Sequence, residues 1–128
     1  MRSWAARMLA VRRVTQDNQG KKTAGVDGKL ALTTPERVQL VEDLQPKNRQ
    51  RRKHLPVRRV WIPKPGKLEK RPLGIPTIRD RAEQALAKQA LEPEWEAKFE
   101  PNSYGFRPGR SQHDAIGAIF LRIKQKAK

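Results

Sequence analysis

Eleven basic side chains and one acidic side chain fall between Lys47 and Arg71, a net +10 in 25 residues. So much charge cannot be taken out of water, so this stretch must stay at the surface or lie along an oppositely charged partner. The excess extends to the whole chain, where 29 Lys and Arg face 13 acids in 128 residues, for a formal +16. That balance argues against a neutral or acidic enzyme working alone. It favours a polyanionic partner, nucleic acid first and an anionic membrane surface second. Residues 79–100 run the other way, with four basic and six acidic side chains.

Other absences narrow the class. Cysteine is missing, which excludes disulfide scaffolds, zinc ribbons and thiol catalysis, and two histidines are too few for a histidine-rich metal site. The longest apolar runs, Met8 to Val11 and, counting Gly117, Ala115 to Leu121, fall far short of the roughly 20 residues a membrane-spanning helix needs. The first sixteen residues are acid-free and carry Arg2, Arg7, Arg12 and Arg13, a pattern shared by transit peptides and by basic amphipathic helices that hold nucleic acid. The second reading is preferred. A cytoplasmic location is expected, from the lack of an export signal.

Punctuation divides the chain. Residues 2–16 read as a helix ended by Asn18 and Gly20, and Thr34-Pro35-Glu36 reads as a cap, a proline at the first helical position and a first-turn acid of a short helix to about Leu44. Val57 to Ile62 and Arg71 to Ile75 are short apolar runs closed by prolines, which predicts two antiparallel strands joined by the basic loop Lys64 to Lys70. Thr77 with Asp80 marks the start of a helix to about Leu91, and Pro93 is expected to begin a separate turn carrying Trp95 and Phe99. Ser111 caps a last helix with Ala115, Ile116, Ile119, Phe120 and Ile123 on one face. The expected fold is α+β, helices flanking a small antiparallel hairpin. Strands so short need something to pack on.

Two segments can carry binding chemistry. The hairpin offers Arg58, Arg59, Lys64, Lys67, Lys70 and Arg71 on a stiff support, either as a grip on phosphates or as a solvated edge that discourages strand pairing. The loop Ser103 to Arg110 sets Tyr104 and Phe106 beside Arg107 and Arg110. Those rings either stack on bases or fill a small core beneath the turn. The acids Asp80, Glu83, Glu94 and Asp114 form no paired cluster suited to two metal ions, and no catalytic constellation is visible.

Three runs, in order, carry a resemblance. They are Arg59-Val60-Trp61-Ile62-Pro63-Lys64-Pro65-Gly66, then Arg71-Pro72-Leu73-Gly74-Ile75-Pro76-Thr77-Ile78-Arg79-Asp80-Arg81, then Ser103-Tyr104-Gly105-Phe106-Arg107-Pro108-Gly109-Arg110-Ser111 with His113-Asp114-Ala115. They resemble the fingers region of group II intron reverse transcriptases, or maturases. Leu9 to Asn18 and Gly20 to Gly28 are similar to the same family's N-terminal extension.

The resemblance implies an extension over residues 1–46 and a partial fingers region over 47–128 of a right-hand polymerase. Lys64 and Arg71 match the family's pair that grips the nucleotide triphosphate, with Arg58, Arg59, Tyr104, Phe106, Arg107 and Arg110 along the template and Arg12 and Arg13 on intron RNA. The implied partners are RNA, a dNTP and a palm domain or palm-bearing chain. The family's catalytic aspartates, which hold Mg2+, belong to a palm that these residues do not reach. The chain is therefore expected to act as a fragment that binds without polymerising. A free-standing basic RNA-binding module with no nucleotide role is the alternative.

Overall fold

The computed structural model describes residues 3–49 and 53–126. Among them are five α-helices and one two-stranded antiparallel sheet, the α+β class expected from the sequence. The chain divides into two compact units, Met1–Ala90 and Leu91–Lys128.

In the first unit, helix α1 (Trp4–Arg12) starts at Ser3, whose hydroxyl accepts from the Ala6 amide at 3.3 Å. The helix widens into a π-turn over Arg13–Asp17, where Thr15 Oγ1 donates 2.8 Å back to the Val11 carbonyl, and tightens into a 3-10 turn over Gln19–Lys22. Helix α2 (Thr34–Asp43) is capped by Thr33, not by Thr34 as the local pattern suggested. The reason is Glu36, which stands three residues after Thr33 and accepts from the Leu32 and Thr33 amides at 2.9 and 2.8 Å. Buried Arg7 donates from α1 to the Val41 carbonyl in the last turn of α2 at 3.3 Å, a cation on the negative end of that helix. A single turn, α3 (Pro46–Arg49), follows.

The core of this unit is Val11, Val14, Ala31, Leu40, Val41, Leu44, Ile78 and Ala82, edged by Met8, Leu30 and Ala85. Each large aliphatic side chain there contributes about 1.5–3 kcal/mol by leaving water. The segment between α1 and α2 is tied down by Arg81, which donates to the carbonyls of Gly20 at 2.9 Å, Pro76 at 3.2 Å and Thr23. Strands β1 (Arg58–Pro63) and β2 (Lys70–Ile75) form the predicted hairpin.

Helix α4 (Ile78–Lys98) is continuous through Pro93, where a break and a fresh helical turn were expected. Proline removes one backbone hydrogen bond at that point. Side chains beyond it hold the last turns: Trp95 and Phe99 pack at 6.4 Å between ring centroids, Lys98 pairs with Glu94 at 2.5 Å, and Glu96 receives Arg107. In the second unit a turn-rich segment leads to helix α5 (Gln112–Lys126). Asp114 Oδ2 accepts from the Ser111 amide at 2.7 Å and its hydroxyl at 2.8 Å, closing the cap the sequence predicts. The apolar face of α5, with Ile116, Ile119, Phe120 and Ile123, is exposed.

Candidate nucleic-acid interface

The hairpin's chemistry follows from its register. Arg58 faces Ile75, Val60 faces Leu73 and Ile62 faces Arg71, while Arg59 faces Gly74, Trp61 faces Pro72 and Pro63 faces Lys70. Successive residues of a strand point to opposite faces, so one face carries Arg58, Val60, Ile62, Arg71, Leu73 and Ile75. The other carries Arg59, Trp61 and Lys70 among prolines and Gly74, against which Val57 packs. The pairing runs one step beyond the strands, since the Lys64 amide donates to the Glu69 carbonyl at 3.1 Å. Lys64 therefore falls on the face of Ile62 and Arg71, diagonal to Arg71, a separation of roughly 7–8 Å for such neighbours.

Two of the basic groups singled out by the sequence are thus brought together on one exposed arm. Lys64 Nζ is held 2.8 Å from Glu69 Oε2 across the turn, with both side chains substantially exposed. Glu69, the sole acid between Lys47 and Arg71, was not marked by any sequence pattern as a partner. Only register reveals that it sits opposite Lys64. Arg58 and Arg59 are exposed on opposite faces. Burial holds the Arg81 guanidinium below its ordinary pKa, with the nearby Arg58 charge adding to the effect and Asp27 opposing it.

Arg12 and Arg13 are exposed at the junction of α1 and the π-turn, Arg12 lying 3.7 Å from Asp17.

In the second unit the loop residues separate into different environments. Arg107 is buried, with its guanidinium donating to both Glu96 carboxylate oxygens and to the Glu100 and Ser103 carbonyls. It is committed to the fold of its own loop and also lies 5.3 Å above the Phe99 ring. Arg110 stacks 5.4 Å above Tyr104 and donates to the Pro101 carbonyl. Tyr104 is half-buried, but Phe106 is fully exposed, so it fills no core beneath the turn.

The acids have structural partners. Asp80 accepts from the Thr77 hydroxyl at 2.7 Å and lies 3.1 Å from His54 Nδ1; burial opposes its ionisation, and the Thr77 and His54 bonds together hold its pKa below the usual range. Glu83 pairs with Arg79 at 3.0 Å. With His54 these two carboxylates bring ligand atoms within 4.8 Å of one another; Asp80 and Glu83 stand three residues apart on α4, and only the fold adds His54.

Residues 1–44 match the family described as the N-terminal domain of reverse transcriptase. The chain is 44% identical over 122 residues to Protein YkfC of Escherichia coli (strain K12), covering 87% of this chain and 29% of that protein. It is 42% identical over 129 residues to Maturase-like protein 1 of Euglena gracilis, covering 92% of this chain and 25% of that one. Over 64 residues it is 47% identical to Group II intron-encoded protein LtrA of Lactococcus lactis subsp. cremoris, covering 50% of this chain and 11% of that protein. The chain thus spans less than a third of the length of these curated relatives.

Proposed function

The chain belongs to the N-terminal region of group II intron reverse transcriptases and maturases, and on that premise we propose that it is the part of such an enzyme that grips RNA and the incoming nucleotide. In this reading the hairpin is the fingers arm of a right-hand polymerase. Lys64 and Arg71 clasp the triphosphate, Arg as a planar fork that binds two oxygens and Lys as a point charge. Arg58 and Arg59 track the template backbone, and the exposed Arg12 and Arg13 meet intron RNA.

The observation that carries the reading is the register that sets Lys64 and Arg71 on one face of an exposed hairpin. An acid already rests on Lys64, as a placeholder that a phosphate can displace.

Polymerase chemistry itself asks for carboxylates that hold two Mg2+ ions and stabilise in-line transfer. The described residues do not fit that demand: His54, Asp80 and Glu83 are hydrogen-bonded or ion-paired within the fold and do not form a paired-aspartate site. The residues present bind and orient, and the apolar face of α5 is the surface on which a catalytic palm would sit.

A basic RNA-binding module without a nucleotide role is the competing reading, because most of the exposed cations serve either. Salt tests the shared part. Affinity for a single-stranded RNA is expected to fall steeply between about 50 and 200 mM salt, as released counterions require, and a flat response would contradict RNA binding by these cations. The nucleotide part is tested by titrating a labelled dNTP into the chain at low salt. Loss of its binding in Lys64→Ala and Arg71→Ala, with RNA affinity kept, separates the two readings.

A further inference from the structure

We propose that Phe106 is a stacking platform for a nucleobase of single-stranded RNA, held outward by a loop built to keep it there. The inference rests on the reading that this region handles RNA, and it adds a specific base contact in the second unit to the phosphate contacts of the hairpin.

Phe106 has φ +58, and it is the one non-glycine residue with positive φ among those described. Left-handed backbone is unfavourable for a residue bearing a β-carbon, so a phenylalanine held there is strained unless its surroundings repay it. Its own side chain repays nothing inside the protein, since its relative exposure is 108%. The flanking residues impose the conformation instead. Arg107 closes on Glu96 at 2.6 Å and on the Ser103 and Glu100 carbonyls at 3.0 and 2.8 Å, pinning the chain directly after Phe106 to the segment before it. Arg110 over Tyr104 and Gly109 at φ +67 fix the far side of the turn.

Strain retained in order to expose an aromatic ring points to a ligand that takes a ring face. A protein anchor residue is normally ringed by further contacts that exclude water, whereas Phe106 is fully exposed and flanked in the chain by Gly105 and, past the inward-turned Arg107, by Pro108 and Gly109. A base needs only a π-face with a cation nearby for its phosphate. Arg110, stacked on Tyr104 in the same loop, is such a cation.

The test compares a short single-stranded RNA with the same RNA made abasic at its central positions, by fluorescence anisotropy with the full chain. Wild type should prefer the base-bearing RNA. Phe106→Gly accepts φ +58 without steric cost, so it should keep the melting temperature yet lose roughly five- to a hundredfold in affinity for that RNA alone, the range for one base–aromatic stack. Phe106→Trp should retain the preference. Unchanged binding in Phe106→Gly, or an equal loss on both RNAs, would overturn the proposal. Failure of wild type to bind either RNA at low salt would instead overturn the RNA reading beneath it.

Discussion

Arg107 and Glu96 form a closed pair eleven positions apart, with Arg107 Nε 3.0 Å from each Glu96 carboxylate oxygen and Nη2 2.6 Å from one of them. The pair holds Glu96 below the usual carboxylate pKa and raises that of Arg107, in both cases chiefly through the hydrogen bond itself. It joins the end of α4 to the loop that presents Phe106. Arg107→Lys keeps the charge but cannot reproduce a fork that also reaches two carbonyls, so it is expected to lower the melting temperature by several degrees and to loosen the loop, seen as faster amide exchange at residues 103–110. Equal melting and exchange in Arg107→Lys would show that charge alone suffices.

Acid should destabilise the fold in a defined direction. The carboxyls of Glu36, Glu96 and Asp114 are held below their ordinary pKa by hydrogen bonds, and that of Asp80 by bonds that outweigh its burial. A depressed folded-state pKa means that these groups bind protons more readily when unfolded, so their stabilisation is complete above the ordinary values of 4.5 for Glu and 3.8 for Asp. It is lost as pH falls through the lower folded-state values. Melting temperatures should therefore be level from neutral pH down to about 5 and then fall steadily, and a curve that rises on acidification would contradict this.

Gly25 has no room for a side chain. A β-carbon there would lie 2.6 Å from Thr77 Cα and 2.8 Å from its amide nitrogen, both backbone atoms that cannot rotate away. Gly25→Ala should cost about 1–3 kcal/mol in urea unfolding, the usual penalty for overpacking. Gly105→Ala, where a β-carbon meets open space, is the matching control.

Where the chain obeys local rules, its structure could be read from the sequence. Prolines on either side of two short apolar runs foretold the hairpin to within a residue or so, and Thr77 with Asp80 foretold the start of α4. What could not be read depended on distant partners. A local rule ends the helix at Pro93, but Glu96, in the turns beyond it, is held by Arg107 eleven positions on. For the same reason, nothing in Arg107-Pro108-Gly109-Arg110 indicates that the first arginine turns inward while Arg110 stacks on Tyr104. Glu69 became a partner of Lys64 only once register was known.

Glu69→Gln removes the carboxylate that occupies Lys64, an exposed pair worth at most about 1 kcal/mol. Triphosphate affinity measured by low-salt titration should therefore tighten about two- to fivefold. Weaker binding would mean that Glu69 orients Lys64 for its ligand and does not compete with it.

In the proposed function Lys64 and Arg71 act together on a nucleotide's phosphates. Steady-state dNTP incorporation by a full-length reverse transcriptase carrying this hairpin, with Lys64→Ala and Arg71→Ala compared against wild type, isolates that joint role. Loss of one charge-assisted contact should raise the KM for dNTP about ten- to a hundredfold while the Kd for template RNA shifts only slightly. An unchanged KM, or RNA affinity that falls in parallel with it, would rule out a joint nucleotide grip by the two side chains.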